Sequence, residues 1–150
     1  MKKLIIFLKL LFVVSVFSKS AIADELRDFL MQQIEGNEYQ PALYADEYQM
    51  YVVNFMEVGD HAVIPKAELE GLVAMWEIAK SNNMSVTTKS FNILSRSETQ
   101  NFISATWEYE FEVSWGDLQY VVEHSGISVL LKTDEGYIHI FGAMTGDPQN

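Results

Sequence analysis

The sequence predicts an α+β domain, with helices first and an antiparallel sheet after them. Three observations carry this. Trp107, Tyr109, Phe111 and Val113 alternate with Glu108, Glu110 and Glu112, and a period of two marks a half-buried antiparallel strand. Leu26, Phe29, Leu30 and Ile34 recur at helical spacing instead. In the last third, Gly116-Asp117 and Thr133-Asp134-Glu135-Gly136 punctuate long apolar runs as turns would.

Residues 1–23 read as a secretory signal. Lys2 and Lys3 make a basic start, an apolar stretch runs from Leu4 to Phe17, and Ala21-Ile22-Ala23 has the small-x-small form a signal peptidase needs. Cleavage before Asp24 leaves one domain, residues 24–150, in the periplasm or outside the cell. A membrane anchor is the alternative, but Lys9 breaks a run already short for a span.

The mature chain opens with a helix from Asp24 to about Glu35. Asp24, Glu25 and Asp28 lie in its first turns, where the helix dipole favours negative charge, and Gly36-Asn37 follows as a stop. Pro41 to Glu47 reads as a short second helix. Tyr48 to Val58, rich in Tyr, Val, Phe and Met, reads as a strand, and Gly59-Asp60 as a turn. Pro65 suits the first turn of a third helix, whose buried stripe is Leu69, Leu72, Val73 and Trp76 and which ends at Ser81-Asn82-Asn83. Four strands follow, at about Ser85–Ser95, Asn101–Ser114, Leu118–Lys132 and Gly136–Met144.

Charge and composition exclude several functions. Removing residues 1–23 takes away four lysines and no acid, so the net charge falls from −11 to −15. Such a surface repels phosphate, so no nucleic-acid partner is expected, nor an anionic membrane once the signal is cleaved. With no cysteine there is neither disulfide nor thiolate metal site. His61, His124 and His139 show no His-x-x-x-His pairing, so no metal is expected. Ser125 lacks a nucleophile elbow around it, and there is no phosphate-binding glycine loop. No cofactor is expected.

The order of elements resembles the nuclear transport factor 2-like superfamily, which includes the polyketide-cyclase-like (SnoaL-like) proteins, ketosteroid isomerase and scytalone dehydratase. Leu43-Tyr44-Ala45-Asp46-Glu47 is similar to the segment that ends the second helix there. Gly59 through Trp76 resembles the loop into the third helix, and Val129 through Ile140 the last hairpin, with Tyr137 where a Trp is frequent. The resemblance implies N-terminal helices packed on a strongly curved antiparallel sheet that forms a cone-shaped pocket, and an outer sheet face that often pairs two subunits, hence a possible homodimer. Members of the superfamily isomerise, dehydrate, cyclise or only bind, so fold alone fixes little about function. The carboxylate base of ketosteroid isomerase would fall near Val52, which cannot take a proton.

His139 is the first candidate for chemistry. Strict alternation puts Tyr137, His139 and Phe141 on one face of the final strand, and the resemblance points that face into the cone. A neutral imidazole there either shuttles a proton near pH 7 or is a core histidine bonded to a neighbour. Asp46 is the second: projecting inward it would orient His139 or act as a base, and otherwise it is a turn carboxylate. Tyr44, Tyr48, Trp76, Trp107, Tyr109, Tyr137 and Phe141 either line a pocket for a flat or apolar small molecule or simply fill the core. The sequence therefore points first to an exported binder of a small apolar or aromatic molecule. A lyase or isomerase using His139 and a non-catalytic homodimeric interaction module are the alternatives.

Overall fold

Residues 25–33, 40–54 and 59–145 are described in the computed structural model of the chain, which falls into two units, Met1–Asn37 and Glu38–Asn150. The signal segment, the predicted stop at Gly36-Asn37 and the end of the predicted first strand at 55–58 lie outside the described residues. In the first unit residues 25–33 form a helix, α1. Leu26 and Leu30, one turn apart, are fully buried, while Arg27 and Asp28 are exposed beside each other.

The second unit runs from a 3-10 turn at Pro41–Leu43 through β1 (Gln49–Val53), β2 (His61–Pro65), α2 (Lys66–Ser81), β3 (Met84–Glu98), β4 (Phe102–Trp115) and β5 (Leu118–Thr133) to β6 (Gly136–Thr145). The six strands form one curled, open sheet in the order β2-β1-β6-β5-β4-β3, so β2 and β3 are its edges. Every pairing is antiparallel except β1 with β6. The fold is thus α+β, as the residue pattern predicts.

Register assigns every side chain to a face. On β4, Ile103, Ala105, Trp107, Tyr109, Phe111 and Val113 are all buried, whereas the alternate residues from Ser104 to Ser114 are half-buried or exposed. This is the predicted alternation, and it defines an inner and an outer face for the whole sheet. Trp107 lies opposite Gly126, where a Cβ would stand 2.5 Å from the indole and 2.6 Å from Ala143 O. Only glycine admits so close an approach of ring and neighbouring strand.

Helix α2 packs on the inner face. Pro65 supplies the extended backbone before its first turn, and Asn82 closes its end by donating from Nδ2 to Ile78 O at 2.7 Å. Leu69 joins Tyr48, Val52 and Ile64 in a buried cluster, with Met50, Ala62, Leu72 and Met144 against it. Of the predicted stripe of α2, Leu69 is buried and Leu72 packs against the cluster, while Val73 and Trp76 are half-buried. Among the described residues no helix is long and apolar enough to cross a membrane.

Three expectations need correction. The short second helix predicted over Pro41–Glu47 is only the 3-10 turn, because Gln40 provides no side-chain cap and Ala45 N donates at 2.8 Å to His139 O on β6 instead of continuing a helix. The stretch read as a loop after Gly59 is β2, paired residue for residue with β1. Its last residue is Pro65, so α2 begins at Lys66. Asn54 and Gly59 make the connection: both have positive φ, and Asn54 Oδ1 accepts from Gly59 N at 2.9 Å.

Candidate functional site

The inner face brings an imidazole and two phenols together. His139 pairs with Leu130, which is fully buried, and is itself only 5 % exposed. Its ring lies almost parallel to that of Tyr44, with centroids 5.0 Å apart, and edge-on to that of Tyr48 at 6.0 Å. Tyr44 and Tyr48 meet edge to face at 4.9 Å. The Tyr48 hydroxyl sits over Gly142, 2.6 Å from where a Cβ would be, so the absent side chain makes its room.

Burial dominates the electrostatics here. Desolvation holds the His139 imidazole down at about 4, so the ring is neutral at pH 7. Desolvation, with the neighbouring Tyr44, pushes the Tyr48 phenol well above its ordinary range. The Tyr48 phenol is thus neutral at pH 7.

The segment carrying Tyr44 is fixed by Lys66, at the start of α2. Lys66 Nζ donates to Tyr44 O at 2.7 Å and to Asp46 Oδ1 at 2.9 Å, and Lys66 N donates to Tyr48 O at 3.1 Å. Asp46 does not project inward. Its side chain is 96 % exposed, and the Lys66 ammonium, not His139, holds its carboxyl below the usual range. No orienting carboxylate for His139 is supplied from this position.

The remaining candidate rings separate into groups. Trp107 and Tyr109 are buried on β4 in a file of stacked rings: Phe91 against Trp107 at 6.0 Å, and Tyr109 against Phe111 at 4.9 Å. Their polar ends are satisfied internally, Trp107 Nε1 donating to Ser128 Oγ at 3.1 Å and the Tyr109 and Thr88 hydroxyls sharing a bond of the same length. Trp76 on α2 and Tyr137 on β6 are half-buried. Phe141 is not on the His139 face. Register shifts between Val129 and Leu130, which pair with Phe141 and His139, and the extra residue, Ile140, turns Phe141 outward onto Tyr51 at 5.5 Å. His124, on the inner register beside Phe111, donates from Nδ1 to Thr145 O at 2.7 Å.

Lys66 and Gly142 belong to the site but carry no sequence signal. A lysine at a helix start reads as surface, and only the partner strand shows that Gly142 lies under Tyr48.

The open sheet with α2 on one face makes this an α+β domain, and comparison with solved structures specifies the fold. A nuclear transport factor 2-like protein with a cystatin-like fold from Novosphingobium aromaticivorans superposes with a TM-score of 0.62 at 10% identity, covering 92% of this chain and 90% of its own. A ketosteroid isomerase-like protein from Erwinia carotovora atroseptica gives 0.59 at 12% identity, covering 85% and 92%. A chain from Exiguobacterium sibiricum, named for a calcium/calmodulin-dependent kinase II association domain, gives 0.53 at 16% identity, covering 86% and 96%. No family profile matches the sequence, and no curated protein matches it. The chain has the nuclear transport factor 2-like fold.

Proposed function

We propose that this chain is an exported protein that binds a small, mostly apolar molecule on the inner face of its sheet, beside His139. The observation that carries the reading is the neutral imidazole set between two phenol rings on a face of buried aromatics. A neutral imidazole presents one donor and one acceptor, and the phenols present apolar faces with a hydroxyl at one end. That combination suits a flat apolar molecule bearing one or two polar atoms. Tyr44 is half-buried and stacks on His139, so the ligand reaches the imidazole by displacing or replacing that ring.

Binding is favoured over acid–base catalysis on three counts. A group held at about 4 is poorly poised to carry protons near pH 7. Asp46 faces solvent on Lys66. Val52, near where the resemblance would put the isomerase base, is buried in the apolar cluster.

A thermal-shift screen of aromatic and alicyclic molecules tests this, using wild type and the Tyr44→Ala and His139→Phe variants. The expected result is a hit that raises Tm in wild type and loses its effect in His139→Phe while that variant still unfolds cooperatively. A hit that stabilises all three proteins equally, or a broad screen without any hit, overturns the reading.

A further inference from the structure

The outer face of the sheet holds a second feature, independent of the inner-face site. An open groove of about 500 Å³ crosses it from Asn54, at the end of β1, to Ser90 on β3. Glu108 and Glu110 from β4 and Glu123 from β5 line it, together with Ser125 and Thr145. Its lining spans five neighbouring strands, so it is about 19 Å long at the usual strand spacing. Tyr109 and His124 complete the lining, which contains no lysine or arginine.

Glu110 and Glu123 are direct cross-strand partners. Like charges placed so oppose folding, and among the described residues neither is paired with a cation. The rest of the same face changes character. Along β5 and β6 it continues through Ile127, Val129 and Phe141, and on β1 it exposes Tyr51 and Val53, 40% and 47% accessible.

A second copy of this chain has little to offer such a surface. Every lysine and arginine in the described residues is already paired with an acid: Arg27 with Asp28, Lys66 with Asp46, Lys80 with Glu77, Lys89 with Glu112, and Arg96 and Lys132 both with Glu98. A twofold contact over β4 would set carboxylates against carboxylates.

We propose that this groove and the apolar strip beside it dock a different protein, through a segment with a lysine- or arginine-rich part and an apolar part. The basic part lies across the Glu108, Glu110 and Glu123 carboxylates, and the apolar part covers Val129, Phe141 and Tyr51. A small polyamine would use the groove alone and leave the strip bare.

The test uses the purified mature chain and a fluorescein-labelled peptide with a lysine-rich half and a leucine-rich half, read by anisotropy. Its glutamate counterpart and free spermine serve as comparisons. The expected result is saturable binding of the lysine peptide that weakens with salt, is absent for the glutamate peptide, and falls about tenfold in the Glu110→Gln/Glu123→Gln double variant. Replacing Val129 by Ser is expected to weaken the peptide without changing any response to spermine. The double variant removes an unfavourable pair, so its Tm should hold or rise, which keeps the test clear of misfolding. The proposal is overturned if Asp134→Asn/Glu135→Gln, an equal loss of charge on the β5–β6 turn, weakens the peptide as much. It is overturned equally if spermine matches the peptide in affinity, or if wild type is a dimer that Glu110→Lys dissociates.

Discussion

His139 shows how far one buried residue reaches. Its folded pKa, about 4, lies below its ordinary 6.5 because the charged form is desolvated. As pH falls, the unfolded chain takes up this proton first. The neutral ring's contribution is therefore fully present above about 6.5 and is lost progressively between there and 4, amounting to about 3 kcal/mol over the window. Asp46, Glu98 and Glu112 are held below their ordinary values by lysines, so their contributions fade only in the carboxylate range and below. Urea unfolding between pH 7 and 5 isolates the imidazole: wild type should lose stability steadily, and His139→Phe should show a much flatter dependence. Equal slopes in the two proteins would mean that the ring is not desolvated. The sequence placed this histidine on a strand whose face could not be fixed by alternation alone. Trp107 to Val113 obey a strict period of two and fall where that period puts them. Phe141 does not, because the bulge at Ile140 carries no glycine or proline to announce it.

At the scale of elements, legibility followed the length of the pattern. The four long strands and α2 each repeat their period several times, and their observed limits differ from the predicted ones by a few residues. Between Pro41 and Pro65 composition marks β1, but nothing repeats long enough to place the 3-10 turn or β2. Their conformation is set by distant partners: the Ala45 N–H bonds His139 on β6, and β2 exists because β1 pairs with it. Lys66 is the clearest case. Nothing in its neighbourhood along the chain marks it, yet it ties the start of α2 to Tyr44 and Asp46. Lys66→Met should therefore loosen the Tyr44 segment without unfolding α2, at a cost of about 1 kcal/mol for the bond to Tyr44 O. Amide exchange reads this directly, since the Ala45 N–H is protected only while that segment lies on β6. Its exchange is expected to quicken about fivefold, with β4 amides unchanged. Uniform acceleration across the sheet would instead make Lys66 a general stability residue.

For the whole molecule, the charge balance links where the protein works to what it can meet. We propose export on the strength of the N-terminal pattern: a basic start, an apolar run and Ala21-Ile22-Ala23. The consequence is electrostatic as well as topological. Cleavage after Ala23 removes four cations at once and leaves an acid, Asp24, next in sequence to a helix whose first turns carry Glu25 and Asp28. Expression of the full sequence in a double-membraned bacterial host, osmotic-shock fractionation and intact-mass measurement decide the matter. The expected product is in the periplasmic fraction or the medium, with Asp24 as its first residue. A full-length chain that stays with the membrane fraction would make the N-terminal segment an anchor, and the inner-face site would then serve a protein tethered at the bilayer.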